Sequence, residues 1–201
     1  MNYVRVKSHF PALIVSLLAF GLLLAGPVLA QTPPPTPPAP TPDPVYNNIF
    51  YGAVNPAFAN FKTPVLIFVP GLGGVACDWY STGSSGNAPC QPNGVTAPAN
   101  AMYAYAYQWG YRTAFINPNT TNTPALGTIQ ADGAVLQSVI PRVASFYNVP
   151  QMYFIGHSKG GLDLQQAIVD GGILPYVKAL FTIATPNQGT ALADWKTMFA
   201  R

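Results

Sequence analysis

The chain has 201 residues, 49 % apolar and only 7 % charged, with a net charge of +3. The length suits one domain, or one domain with appendages, and so little charge excludes intrinsic disorder of the main body. With Arg5 and Lys7 assigned to a leader, seven cations face six aspartates and no glutamate, which argues against a nucleic-acid binder and its basic stripe. Cys77 and Cys90 are too few for a disulfide scaffold or a Cys-rich zinc site. His9 and His157 are the only histidines. With neither a His nor a Cys cluster, no metal or other cofactor is expected.

Residues 1–30 read as a secretory signal. Arg5 and Lys7 form the basic region, Ala12 to Ala25 the apolar stretch, and Val28-Leu29-Ala30 a small-residue cleavage site. Cleavage is expected before Gln31, leaving no stable membrane span and a secreted product, extracellular or periplasmic. The alternative is an uncleaved anchor, since the stretch approaches the ~20 residues that cross a bilayer. Residues 31–44 carry eight prolines. Proline lacks an N–H, so this run is expected to stay out of sheets and helix interiors and to form an extended polyproline-II linker. In an exported chain Cys77 and Cys90 are expected to pair, closing a loop for which chain entropy predicts ~3 kcal/mol.

From residue 45 onward strands alternate with helices. Val65-Leu66-Ile67-Phe68-Val69 is a continuous apolar run ended by Pro70 and Gly71, the mark of a strand buried on both faces. Pro98 to Trp109 reads as a helix stopped by Gly110, and Thr113 to Ile116 as a short strand. Thr128 to Tyr147 has helical periodicity, with Pro141 expected to kink or split it. Met152 to Ile155 is a strand, Leu162 to Val169 a helix, and Val177 to Ala184 another strand. This alternation predicts an α/β fold with a mostly parallel sheet and flanking helices.

Between the Met152 strand and its helix lies Gly156-His157-Ser158-Lys159-Gly160-Gly161. A Gly-x-Ser-x-Gly there is a nucleophile elbow. The turn is tight, so side chains at Gly156 and Gly160 would collide with backbone, and the strained Ser158 projects its hydroxyl above the sheet. The helix N-terminus favours an anion, and the Lys159 N–H is one oxyanion donor. The second is expected from the loop after the first buried strand, Pro70-Gly71-Leu72-Gly73-Gly74, at the Leu72 N–H. His157 precedes the serine, and successive strand residues face opposite ways; it is expected to pack and hydrogen-bond beneath the elbow. Tyr103, Tyr105, Tyr107, Trp109 and Trp79 are read as helix packing before a substrate groove.

Phe68-Val69-Pro70-Gly71-Leu72-Gly73-Gly74, then Gly156 to Asp163, then Thr182-Ile183-Ala184-Thr185-Pro186-Asn187-Gln188-Gly189-Thr190 together resemble α/β-hydrolases of the bacterial secreted lipase type, over about Thr63 to Trp195. The resemblance implies an α/β-hydrolase fold over residues 45–201 and a serine esterase or lipase acting on an apolar ester or lipid through a Ser, an acid and a His. Pro70 stands where such lipases usually carry His, and Asn187-Gln188 where they usually carry His-Arg or a similar pair.

A serine hydroxyl needs a base, yet no histidine follows Ser158. Asp163 and Asp170 read as helix-surface or capping residues. Asp78 either orients the oxyanion loop or lies on plain surface, and Asp194 falls in a stretch like the start of a lid helix. The resemblance therefore implies a front portion, with the C-terminal strands, lid and acid–base pair coming on the order of a hundred residues later. Without a base the 201 residues are expected not to turn over, and the cut sheet would leave an aggregation-prone edge. The alternative is a non-catalytic secreted binding protein on a degenerate hydrolase scaffold.

Overall fold

Strand alternation decides what each layer of the fold must cover. The computed structural model describes residues 33–81, 99–121 and 123–190; the leader with its cleavage site, Cys90, Pro98 and Asp194 lie outside them. In β3 (Val65–Val69), Val65, Ile67 and Val69 join one apolar cluster and Phe68 another. β4 (Arg112–Ile116) divides in the same way, Ala114 and Ile116 against Phe115. β5 (Met152–His157) sends Met152 and Phe154 to the first cluster and Ile155 to the second. A sheet apolar on both faces needs two covers. α2 (Ile129–Tyr147) and α3 (Lys159–Val169) supply Leu136, Val139, Ile140, Val143, Leu164 and Ala167 to the first face. α1 (Ala101–Gln108) and the 3-10 turn Ala76–Trp79 supply Tyr103, Ala76 and Trp79 to the second.

The six strands run in the order β1-β2-β4-β3-β5-β6. β4, β3, β5 and β6 (Val177–Ile183) are mutually parallel. β1 (Thr41–Pro42) and β2 (Ile49–Tyr51) add an antiparallel margin beside β4. This is the α/β-hydrolase fold, as far as the described residues carry it. Among them no helix is long and apolar enough to cross a membrane.

The linker is not wholly a free spacer. Pro42 pairs with Phe50 in β1; proline is tolerated there because an edge strand has one side with no ladder to donate to. Pro37 is buried, and the Pro38 carbonyl accepts the Tyr103 hydroxyl at 2.7 Å. Nor does Pro141 split its helix, which runs through it as one 19-residue element. Leu136, Val139, Ile140 and Val143, all buried on both sides of it, bind that stretch to the sheet and outweigh the lost backbone bond. Two helix starts come from caps: Asn100 accepts the Met102 N–H, and Thr128 accepts the Ala131 N–H.

Tyr103 is 1 % exposed, and its hydroxyl both donates to Pro38 O and accepts the Ala53 N–H at 2.8 Å. Tyr103→Phe removes both part-buried bonds, and denaturant unfolding is expected to show a loss of about 1–3 kcal/mol, about 0.5–1.5 for each, with the circular-dichroism spectrum kept.

Candidate functional site

β5 ends at His157, and the chain enters α3 through Ser158 at φ 51°, ψ −125°. A non-glycine residue there is strained by about 1–3 kcal/mol. The neighbours show what imposes it. A Cβ on Gly156 would lie 2.6 Å from Gly161 Cα, and one on Gly160 would run into the Pro70 carbonyl oxygen. Strand, helix and the loop after β3 thus meet at backbone contact, while the Ser158 N–H donates to Ile183 O at 2.8 Å and extends the β5–β6 ladder one residue past its end.

The loop Pro70–Gly74 crosses directly over the turn. A Cβ on Gly71 would stand 2.9 Å from Ser158 Cβ. Three bonds close the loop: Gly74 N–H to Gly71 O at 3.0 Å, and a reciprocal pair with Ala125, Gly73 N–H to Ala125 O and Ala125 N–H to Gly74 O, each 2.9 Å. No described residue accepts the Leu72 N–H between them. Lys159, first residue of α3, has an N–H that no intrahelical carbonyl can reach. Ser158 and Leu72 both border a cleft of about 690 Å³ toward Trp79, Asn100 and Met102, and a second of about 440 Å³ toward Leu126, Ile129 and Leu162. A hydroxyl between two clefts, beside two backbone donors, can attack a planar carbonyl and have the resulting oxyanion held.

Beneath the first turn of α3 lies an ionic cluster that sequence reading missed. Lys159 Nζ donates to Asp132 of α2 at 2.6 Å and to both oxygens of Asp163 at 2.7 and 2.9 Å. A cation at a helix N-terminus opposes the dipole; the two carboxylates compensate. Asp163 is fully buried, not a helix-surface or capping residue as expected, because its position faces α2. Burial pushes its pKa up to about 7; the Lys159 hydrogen bond and charge pull it down less strongly, and Asp132 adds to the rise. The (i, i+4) Lys159–Asp163 spacing was legible, but its burial was not.

His157 is exposed and lines the larger cleft, its ring edge-on to Trp79 with centroids 6.4 Å apart. It does not lie beneath the elbow: on Ile155's side of the sheet it reaches past the core to the cleft, beside Trp79 and against Gly71, where a Cβ would stand 3.1 Å from Nδ1. No hydrogen bond joins it to Ser158. Asp78 accepts the Val75 N–H at 2.9 Å and would touch a Cβ on Gly74 at 2.9 Å, so it braces the loop. Asp170 closes α3 and meets Gln137 and Gln166. Asn187 accepts a bond from Gln165 at 2.8 Å. Tyr103 is core, Trp109 is exposed, and Trp79 alone of the five aromatics walls the larger cleft. Cys77 is buried beside it. Among the described residues no group of three or more His, Cys, Asp or Glu could hold a metal ion.

A family model described as "Alpha/beta hydrolase of unknown function (DUF915)" matches residues 107–199. Among solved structures, the Bacillus licheniformis lipase BlEst2 in its propeptide form aligns at 25 % identity and TM-score 0.58, over 75 % of this chain and 28 % of that one. Its mature form aligns at 24 % identity and TM-score 0.59, over 76 % of this chain and 52 % of that one. The chain thus spans about half the length, or less, of these structures. No curated protein sequence matches it significantly.

Two outcomes test the cluster. Lys159→Met leaves two buried carboxylates facing each other, and chemical denaturation at pH 7 is expected to show a loss of about 3–5 kcal/mol. Because the folded state keeps an Asp163 proton that the unfolded chain releases near 3.8, stability falls as pH rises from about 4 to about 7. In Asp163→Asn that decline is expected to flatten.

Proposed function

We propose that this chain, which belongs to the α/β-hydrolase superfamily, carries the nucleophile and oxyanion hole of a secreted serine carboxylic ester hydrolase of the lipase/esterase kind. One observation carries the reading: Ser158 stands at φ 51° on the turn between β5 and α3, with Leu72 and the first amide of α3 around it. Ser158 Oγ attacks the ester carbonyl carbon and its proton passes to a base. The carbonyl π pair moves to oxygen, where the Leu72 and Lys159 N–H groups hold the negative charge. Collapse expels the alcohol and leaves an acyl-serine for water to cleave. Helix α3 aims its positive end at the same oxygen.

The mostly apolar walls around Ser158, with Leu72, Leu126, Ile129, Leu162 and Met102, suit an apolar acyl or alcohol group. The Bacillus licheniformis neighbour BlEst2, a lipase, points the same way. The base and acid are not assigned to residues of this chain: its histidines are His9 and His157, and His157 makes no bond to Ser158. The reading therefore gives the 201 residues little or no turnover by themselves. Export is part of the same proposal, supported by the basic, apolar and small-residue order of residues 1–30. So is a Cys77–Cys90 bridge, supported by the absence of a free cysteine among the described residues.

Labelling with a fluorophosphonate at alkaline pH, where hydroxide takes the Ser158 proton in place of the unassigned base, followed by peptide mass spectrometry, is expected to place the adduct on Ser158 and to lose it in Ser158→Ala. Labelling of another residue, or equal labelling of the variant, would overturn the assignment. Gly160→Ala, which drives a methyl into the Pro70 carbonyl, is expected to slow labelling by about 10²–10³-fold, the worth of one misplaced oxyanion donor.

A further inference from the structure

Charge is scarce enough here to be followed residue by residue. The cations among the described residues are Lys62, Arg112, Arg142, Lys159 and Lys178. Arg142 pairs with Asp43 at 3.0 Å, and Lys159 with Asp132 and Asp163. The other described acids, Asp78 and Asp170, are bonded to the Val75 amide and to Gln137 and Gln166. Lys62, Arg112 and Lys178 have no acid partner among the described residues, and all three border one cleft of about 480 Å³. It opens at the N-terminal ends of the parallel strands, roughly 20 Å down β5 from Ser158 at about 3.3 Å per residue.

Solvated lysines on a protein surface are common, but the backbone here has been shaped around these cations. Arg112 is half-buried and locked: Nε donates to Thr63 O at 2.9 Å, Nη2 to the same carbonyl, and Nη1 to Tyr147 O at 3.2 Å, with the guanidinium carbon 5.5 Å over the Tyr147 ring. Burial lowers its pKa, and only the Tyr147 phenol opposes that. Its charge is thus positioned without a carboxylate to balance it. Lys178 is delivered by a β-bulge: Met152 faces Val177 and Tyr153 faces Ala179, so Lys178 is the extra residue of β6. Bulges in parallel pairs are rare, and they re-aim a side chain.

We propose that this cleft binds a phosphate group, carried by a soluble phosphomonoester or by an anionic lipid headgroup. A phosphomonoester carries about −1.5 to −2 charges at pH 7, a match for three converging cations, and lysine serves phosphate as a point charge. The volume exceeds what a bare phosphate fills and lies in the range of small-molecule sites; Tyr147, Tyr153 and Val149 wall the remainder. The site is independent of Ser158 and of any ester chemistry.

The full chain is titrated with inorganic phosphate by NMR, and in parallel floated with vesicles of phosphatidic acid in phosphatidylcholine and of phosphatidylcholine alone. The expected result is saturable shifts confined to residues 62–65, 112, 147–153 and 178, or flotation only with phosphatidic acid. Either is expected to weaken about tenfold or more in Lys62→Ala/Lys178→Ala, the factor one charge-assisted hydrogen bond supplies. Both side chains are exposed, so the double variant is expected to melt as the parent does. Phosphate binding without flotation identifies a soluble ligand, and flotation with phosphatidic acid a lipid one. Binding of neither probe, flotation with phosphatidylcholine alone, or binding unchanged in the double variant would overturn the proposal.

Discussion

At Ser158 three backbone segments approach until no side chain fits between them. The loop after β3 lies on the turn, the first turn of α3 lies against the end of β5, and the glycines at 156 and 160 occupy the points of contact. That crowding holds the serine at a positive φ which an isolated peptide would leave, since the strain is offset only by the packing around it. The same crowding sets Gly71 against the Ser158 side chain and brings Leu72 and Ser158 to the rim of the same two clefts.

The sheet makes such an approach possible. Val65, Ile67 and Val69 on one face and Phe68 on the other lock β3 between two apolar layers, so the loop leaving its C-terminal end has a fixed origin. β5 beside it, in parallel register from Leu66↔Tyr153 to Val69↔Gly156, delivers the elbow at the same level. α3 is then tied to α2 twice, by Leu164 and Ala167 in the core and by the Lys159–Asp132 bond at its start. The ionic tie springs from Lys159, the first residue of α3, and fixes the helix start against α2.

Charge in this chain is used sparingly and at definite places. Among the described residues an ion pair fastens Asp43, within the proline run, to α2 through Arg142, and a cluster fastens α3. Among the described residues the acids are taken up in these roles, as caps, or as braces, and the cations at the opposite end of the sheet have no acid partner. The two ends of the parallel strands thus differ in character: a glycine-rich rim with mostly apolar walls above, and a basic rim with aromatic walls below.

Much of this was legible in the residues. β3 could be read to the residue, because five consecutive apolar β-formers admit few other fates, and the elbow was recognisable because glycine on either side of a serine between strand and helix answers a steric demand that is local. Helix starts varied: the one at Thr128 was read to its cap, whereas the helix expected from Pro98 starts after the Asn100 cap, and the one expected from Leu162 starts at Lys159, where the tight turn rather than periodicity sets the first residue. The margin strand at Thr41–Pro42 was hidden by its prolines, since the sequence announces the missing N–H but not that one side of an edge needs none. Periodicity and motif order, both short-range, determined the alternating α/β pattern and the identity of the serine. Only tertiary structure decided that Asp163 is buried beside Asp132, that His157 faces the cleft, and that Lys62, Arg112 and Lys178 converge. Each depends on which distant segments become neighbours, and that is set by the summed packing of two apolar faces with no local code.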